Sequence, residues 1–311
     1  MRIFAKGVIP LGLGLLCSCA TLNSHSSALH TPELPPEQIL GEKAGGEGLL
    51  IVTLRLSGGR SIPCLVDTGS SHTMLDQSLR SSLGPPLRTE KMRFPFRTEG
   101  DENPGACAAP KLYLGNVPLM TDPTILVGRV IDTNNCPYKA ILGMDCFRHY
   151  CIQLDFDEHK LRFLDSSKLQ REELGIAFPL ALLPTKRDGL LGVPLVDMKW
   201  ATNRNVRLMV DTGFLCPDFS LPSDVVGPAI QSHGAADTFT GTYIRGTPIE
   251  IFLFPTFTIG RKTYENVRFV RGDIAGGWID GFMGLPFLAR HKVTFDFPNN
   301  KMYLRLRRRL P

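Results

Sequence analysis

"CLVDTGSSHTMLD", residues 64–76, is the stretch on which the fold turns. A short apolar run, Leu65-Val66, delivers one carboxylate, Asp67, into Thr68-Gly69 and two serines. Asp-x-Gly is ordinary turn chemistry, because Asp bonds its own backbone two residues on and glycine accepts positive φ. Alone, the stretch does not separate a turn-former from half of a reacting pair.

The same motif recurs in "RLMVDTGFLCPDFS", residues 207–220, where Asp211-Thr212-Gly213 follows Leu208-Met209-Val210. Each copy is preceded by two apolar runs split by a turn, around Gly58-Gly59 in the first and Asn203-Arg204-Asn205 in the second. Runs of this kind read as paired strands. A second segment also repeats: "AILGMDCFRHYCIQLDFDEHKLRF" (140–163) matches "GFMGLPFLARHKVTFDFPNNKMYL" (281–304). Gly143 falls on Gly284, Asp155-Phe156 on Asp296-Phe297, and Lys160 on Lys301. Gly143 follows Asp67 by 76 residues and Gly284 follows Asp211 by 73. Two separate features in the same order at nearly the same spacing identify an internal duplication.

Further hairpins are expected in "APKLYLGNVPL" and "FTIGRKTYENVRFV", and strand–turn–strand units over Cys151–Phe163 and Lys292–Leu306. Only short helices are expected, around 76–82, 145–149 and 286–290. The polar, proline-broken segment near 165–188 marks the boundary. The reading is therefore all-β, with similar lobes at 45–165 and 186–311 joined by an interlobe linker at 166–185.

Composition agrees with a folded protein: of 311 residues 43% are hydrophobic and 21% charged, and Gly 30 and Pro 24 suit a turn-rich β protein. Residues 1–18 read as a lipoprotein signal peptide. Arg2 and Lys6 precede an apolar run, Val8 to Leu16, that is too short to span a bilayer. It ends in Leu16-Cys17-Ser18-Cys19, which resembles a bacterial lipobox with Cys19 as the lipidated residue; an ordinary secretory signal is the alternative. Residues 19–44 then read as a flexible tether. The expected location is outside the cytoplasm of a bacterial cell, with the membrane as a partner through the lipid anchor.

Cleavage lowers the formal charge from +5 to about +3, too weak a balance to argue for nucleic acid. The basic cluster Arg305–Arg309 reads as a solvated strand end. Cys64, Cys107, Cys136, Cys146, Cys151 and Cys216 permit disulfides, with Cys107–Cys136 and Cys146–Cys151 as local guesses. No Cys-x-x-Cys or histidine cluster has metal-ligand spacing, so neither metal nor cofactor is expected. His72 reads as a surface turn residue.

Two copies of apolar-apolar-Asp-Thr-Gly, each followed by an apolar-apolar-Gly segment, resemble the aspartic peptidases. Each half is similar to a retropepsin-like subunit, and the tandem to the two-lobed pepsin arrangement on one chain. The resemblance implies two acid-protease β-barrel lobes with the active site in the cleft between them. It implies Asp67 and Asp211 as catalytic carboxylates and a peptide or protein substrate bound in extended form. The chain would work as a pseudodimeric monomer. Facing carboxylates share one proton, so that one activates water and the other protonates the carbonyl oxygen; aspartic proteases are a standard illustration of that effect.

The resemblance further implies that Thr68 and Thr212 bond across the pseudo-twofold, and that the Ile141-Leu142 and Phe282-Met283 pairs pack beneath the loops. Gly69 and Gly213 would permit close approach of the carboxylates. It gives Ser70 a hydroxyl bond to Asp67 that Phe214, in the matching place, cannot make for Asp211. Substrate-covering flaps are expected over 94–108, with Gly100 and Gly105, and 234–246, with Gly241 and Tyr243. The competing function is a non-catalytic lipoprotein that binds peptides or a partner in the same cleft.

Overall fold

The computed structural model describes residues 33–45, 48–87, 105–130, 136–184, 191–199, 204–215, 217–233, 238–242, 248–259, 262–271 and 278–307. Its described residues fold as the expected all-β protein with two similar halves, arranged in three sheets.

The Asp67 strand, Ser61–Val66, buries alternate residues and then an unbroken run. Its antiparallel partner Ile51–Leu56 alternates more simply, with Val52, Leu54 and Leu56 inward. Such alternation is what a sheet with one covered face requires. On its other side Ser61–Val66 pairs in parallel with Ala140–Leu142, placing Leu65 beside Ile141 and Val66 beside Leu142. Ala140–Leu142 pairs antiparallel with Met74–Asp76, which pairs in parallel with Thr124–Gly128. These strands lie inside a nine-stranded sheet.

The second half repeats that wiring. Asn205–Asp211 pairs antiparallel with Pro194–Lys199 and in parallel with Gly281–Gly284. Gly281–Gly284 pairs antiparallel with Phe219–Leu221, which pairs in parallel with Lys262–Arg271. The duplication read from the motifs is thus also a duplication of topology, here within an eight-stranded sheet.

The third sheet belongs to both halves. Its order is Gln38–Ile39, Lys160–Leu164, Cys151–Asp155, His291–Asp296, Lys301–Leu306, Ile176–Pro179. At its centre Cys151–Asp155 runs antiparallel to His291–Asp296, with Gln153 opposite Thr294. Asp155 is buried there, and its carboxylate meets Arg162 Nη1 at 2.7 Å and Lys292 Nζ. The matching Asp296 is also buried and accepts from Ser166 Oγ at 2.6 Å and Asn299 Nδ2 at 2.9 Å. Asp155 closes the expected turn as well, taking the amides of Asp157 and Glu158 at 3.2 Å. A buried charge such as that of Asp155 is costly unless it is paired and hydrogen-bonded.

One hydrophobic cluster runs from Leu40 through both halves to Leu304. Leucines dominate it in the first half. In the second, Phe219, Phe254, Phe257, Phe269 and Phe287 interlock with ring centroids 4.6–5.8 Å apart. Each such ring contributes on the order of 2–3 kcal/mol by burial.

Several expectations need correction. Residues 166–185 are not a bare linker: two 3-10 turns, Ser166–Lys168 and Arg171–Glu173, lead into Ile176–Pro179, which completes the shared sheet against Lys301–Leu306. The tether reading of 19–44 fails at its end, because Gln38–Ile39 pairs with Lys160–Leu161 and Leu40 and Ala44 are buried. Cys107, Cys136, Cys146 and Cys151 are unpaired thiols. Cys146 is buried on the helix Met144–Phe147, Cys151 opens a strand of the shared sheet, and Cys136 donates to the Tyr138 carbonyl. Cys64 is a buried free thiol as well, while Cys216 lies outside the described residues.

The short helices appear as a 3-10 turn over Gln77–Ser82 and α-helical turns over Met144–Phe147 and Leu285–Leu288. An 11-residue helix, Ser223–His233, was not expected. Its Gly227 and Pro228 hide it from propensity, although Ser223-Asp224 at its start and buried Val225 and Val226 are compatible with a helix packed on one face. No helix among the described residues is long and apolar enough to cross a membrane.

Candidate active site

Asp67 directly follows its strand and Asp211 is the last residue of its own. Each carboxylate folds its own turn: Gly69 N–H donates to Asp67 Oδ1 at 2.8 Å, and Gly213 N–H to Asp211 Oδ1 at 2.8 Å. Asp67 is therefore a turn-former, as the local sequence allows. It is also more than that, because the two turns meet.

Four hydrogen bonds lock them. The Thr68 amide donates to Thr212 Oγ1 at 3.0 Å, and the Thr212 amide to Thr68 Oγ1 at 3.1 Å. Thr68 Oγ1 donates to the Val210 carbonyl at 2.7 Å, and Thr212 Oγ1 to the Val66 carbonyl at 2.9 Å. Both threonines are fully buried, so every one of these groups would otherwise be an unsatisfied polar atom.

The lock brings each glycine against the opposite carboxylate. A Cβ on Gly213 would lie 2.7 Å from Asp67 Cγ, and one on Gly69 would overlap the carboxylate of Asp211. Only hydrogen at these positions leaves room for the opposite carboxylate, so each acid sits against the other's turn and the two influence each other's protonation. Burial raises both acids above the ordinary carboxylate range, and the charge of Asp67 raises Asp211 further. The amides of Gly69 and Ser70, and of Gly213 and Phe214, pull in the opposite sense. Two acids so placed hold one proton between them over a wide pH range.

Behind the turns, the Asp67 amide donates to the Leu142 carbonyl at 3.1 Å, and Met144 N–H to the Ser70 carbonyl at 2.8 Å. In the second half Leu285 N–H donates to the Phe214 carbonyl at 2.8 Å. The apolar-apolar-Gly segments thus pin both loops from below.

Ser70 departs from its expected role. Its hydroxyl donates to the His72 carbonyl at 2.9 Å, and Asp67 is reached by the Ser70 backbone amide instead. Phe214 can supply the same amide contact to Asp211, so the Ser/Phe difference leaves this part of the site balanced. The Phe214 ring instead stacks on Phe282, with centroids 5.3 Å apart. Together with Trp278 it packs against Leu183, Val193, Leu195, Met209 and Ile279, while Met74, Ala106 and Leu126 form a smaller apolar cluster in the first half.

The flap residues divide. Gly105 lies in Gly105–Ala108, opposite Val127 and next to the edge strand Pro86–Leu87. Gly241 lies in Thr238–Thr242, at the edge of the eight-stranded sheet, opposite Ile249. Gly100 and Tyr243 lie outside the described residues, as does Cys19.

Two site features carried no signal in the sequence reading. Tyr138 is buried, and burial pushes its hydroxyl up, with smaller contributions from Cys136 and then Asp67. Asp145, read only as part of a short helix, reaches back into the loop after Asp67. Among the described residues no cluster of His, Cys, Asp and Glu is placed to hold a metal ion.

Residues 52–146, which include the first Asp-Thr-Gly but not the second, match the family model for aspartyl proteases. Among solved structures, an aspartic proteinase from Irpex lacteus aligns with 88% of this chain and 96% of its own, at 16% identity and a TM-score of 0.49. No curated protein sequence matches the chain.

Proposed function

We propose that this chain is an aspartic endopeptidase. The observation that carries the reading is the pair of Asp-Thr-Gly turns, bound to each other through Thr68 and Thr212 with each glycine against the opposite carboxylate. A water seated between the acids is deprotonated by the ionised one as it adds to the peptide carbonyl carbon. The protonated one gives its proton to the carbonyl oxygen. The resulting diol collapses with cleavage of the C–N bond as the amine leaves protonated, and the dyad regains its single shared proton. The substrate lies extended across the cleft, so that its backbone pairs like an added strand.

In the same reading the protein is a monomer, since both acids come from one chain. It is exported and held at a membrane through Cys19. Labelling with a radioactive fatty acid, lost in Cys19→Ser, tests the anchor.

Cleavage of a diverse peptide library from acid to neutral pH tests the activity. Asp67→Asn and Asp211→Asn are each expected to abolish it. Cleavage that persists in both variants overturns the mechanism. An intact library throughout that range favours a peptide-binding protein instead.

A further inference from the structure

Asp145 is 1% exposed, yet no cation pairs with its carboxylate among the described residues. Oδ1 accepts from the Thr73 amide at 2.8 Å and the Thr73 hydroxyl at 2.7 Å, while Oδ2 is buried without a partner. Thr73, itself fully buried, accepts from the Gly143 amide through its hydroxyl at 3.3 Å. The Asp145 amide donates to the Ser71 carbonyl at 3.1 Å, and Met144 N–H to the Ser70 carbonyl. The whole segment after Gly69 is thereby tied to one acid.

Among the described residues the second half has no such tie. Counted from each Asp-Thr-Gly, the place of Thr73 is taken by Pro217; counted from each apolar-apolar-Gly, the place of Asp145 is taken by Pro286. A hydroxyl and a carboxyl in one lobe are two prolines in the other, which offer no hydrogen-bond donor. The buried acid of that loop, Asp218, instead accepts from Arg290 Nη2 and the Arg268 amide, both at 2.8 Å. Asp218 has guanidinium partners, and Asp145 has none.

We propose that Asp145 is a positioning residue for Asp67, acting through Thr73 and the Ser70-Ser71 backbone, so that the first lobe alone carries a proton-sensitive lock on its catalytic loop. This rests on the peptidase reading for its effect on rate, but not for the lock itself.

Burial pushes the Asp145 carboxyl up to about 6. The groups facing it support a free acid there: Asp122 adds negative charge, and Arg148, the cation on the same turn, is engaged by Asp122. Burial and the charge of Arg148 hold the His149 imidazole down, and its ring meets the Asp145 backbone. Above about 6 the ionised acid holds both Thr73 donors by charge-assisted bonds, which are about twice as strong as neutral ones. That buried charge leaves Oδ2 without a partner, and the cost is lifted when the acid takes a proton below about 6. Protonation therefore tightens the first lobe's loop, while the second lobe has prolines at both matching positions.

The test uses the full chain. Asp145→Asn presents the same acceptor oxygen to Thr73 but does not titrate. With KM unchanged, it is expected to remove a limb of the pH–rate profile near 6, because the uncharged side chain holds the loop alike on both sides of that pH. Thr73→Val, which removes the hydroxyl donor, is expected to lower kcat several-fold with KM unchanged, and Thr73→Ser to restore it. An unchanged limb in Asp145→Asn, or an effect confined to KM, overturns the proposal. Should Asp145→Asn not fold, the Thr73 pair decides. Should the wild-type chain cleave nothing, the peptidase reading fails separately, and hydrogen-exchange protection of the Thr73 amide decides. Protection rising between pH 7 and 5 in the wild type, beyond the change in intrinsic exchange rate, supports the lock, and constant or falling protection overturns it.

Discussion

Thr68 and Thr212 each accept the other's backbone amide on a side-chain oxygen, at 3.0 and 3.1 Å, from positions 144 residues apart in the chain. Each hydroxyl also donates across the same boundary, to Val210 and Val66. Replacing Thr212 by Val strands the Thr68 amide and the Val66 carbonyl in a dry site, at about 1–3 kcal/mol per group. The expected loss is roughly 2–4 kcal/mol by urea unfolding, whereas Thr212→Ser stays within about 1 kcal/mol. Valine behaving like serine would show that the exchange contributes little.

Gly213→Ala separates function from fold. The new methyl would lie 2.7 Å from Asp67 Cγ, and the carboxylate must give way. We expect peptide cleavage to fall at least ~100-fold through misplacement of the acid, with an unfolding midpoint shifted much less than in Thr212→Val.

The dyad should cost stability at neutral pH. An acid whose folded pKa lies above its unfolded value destabilises the fold above the folded pKa, and that cost disappears as pH falls below it. Asp67 and Asp211 are both raised in this way. Asp211→Asn is therefore expected to be more stable than wild type at pH 8, by on the order of 2 kcal/mol. The advantage should shrink steadily toward pH 4 in chemical denaturation.

His291 works in the opposite direction. It is 1% exposed, bonded to the Phe287 carbonyl and the Tyr264 hydroxyl, and burial holds it down at about 4 against an ordinary 6.5. Between those values the unfolded chain binds a proton that the folded chain refuses. Stability therefore drops as pH falls from about 6.5 and has lost ~3 kcal/mol by about 4. His291→Phe should flatten that acid slope, whatever constant cost it carries from the Tyr264 hydroxyl. An unchanged slope would place the acid sensitivity elsewhere.

Asp155 ties the two halves by charge, since Arg162 belongs to one and Lys292 to the other. Asp155→Ala leaves cations without their buried partner and is expected to cost about 3–5 kcal/mol. Calorimetry should still show one transition for both halves, because they share a sheet and a core. Two resolved transitions would contradict that coupling.

What was legible in the sequence was whatever repeats or alternates. The two Asp-Thr-Gly turns, the paired strands before them and the Asp155 and Asp296 turns follow from local patterns. So does the all-β architecture. What was not legible depends on contacts made far along the chain. Residues 176–179 sit in a proline-broken stretch that looks like a boundary, and only Lys301–Leu306 makes a strand of it. The Ser70 hydroxyl had two acceptors in reach, and its neighbour His72 took it. Asp145 looked like one more polar residue of a short helix, and no pattern announces an acid left without a cation. The comparison of Thr73 and Asp145 with Pro217 and Pro286 was nonetheless available once the repeat had been aligned.

The order of the shared sheet has one more consequence. The second half's strands His291–Asp296 and Lys301–Leu306 lie side by side, flanked by Cys151–Asp155 on one side and Ile176–Pro179 on the other. Both flanking strands come from before residue 183, so the amino-terminal portion grips the carboxy-terminal hairpin like a bracket. A cut between Leu182 and Leu191 would leave two fragments, each carrying what the other lacks. Such a protein can be divided and rebuilt by strand complementation, Asp67 and Asp211 travelling on separate pieces until the bracket closes.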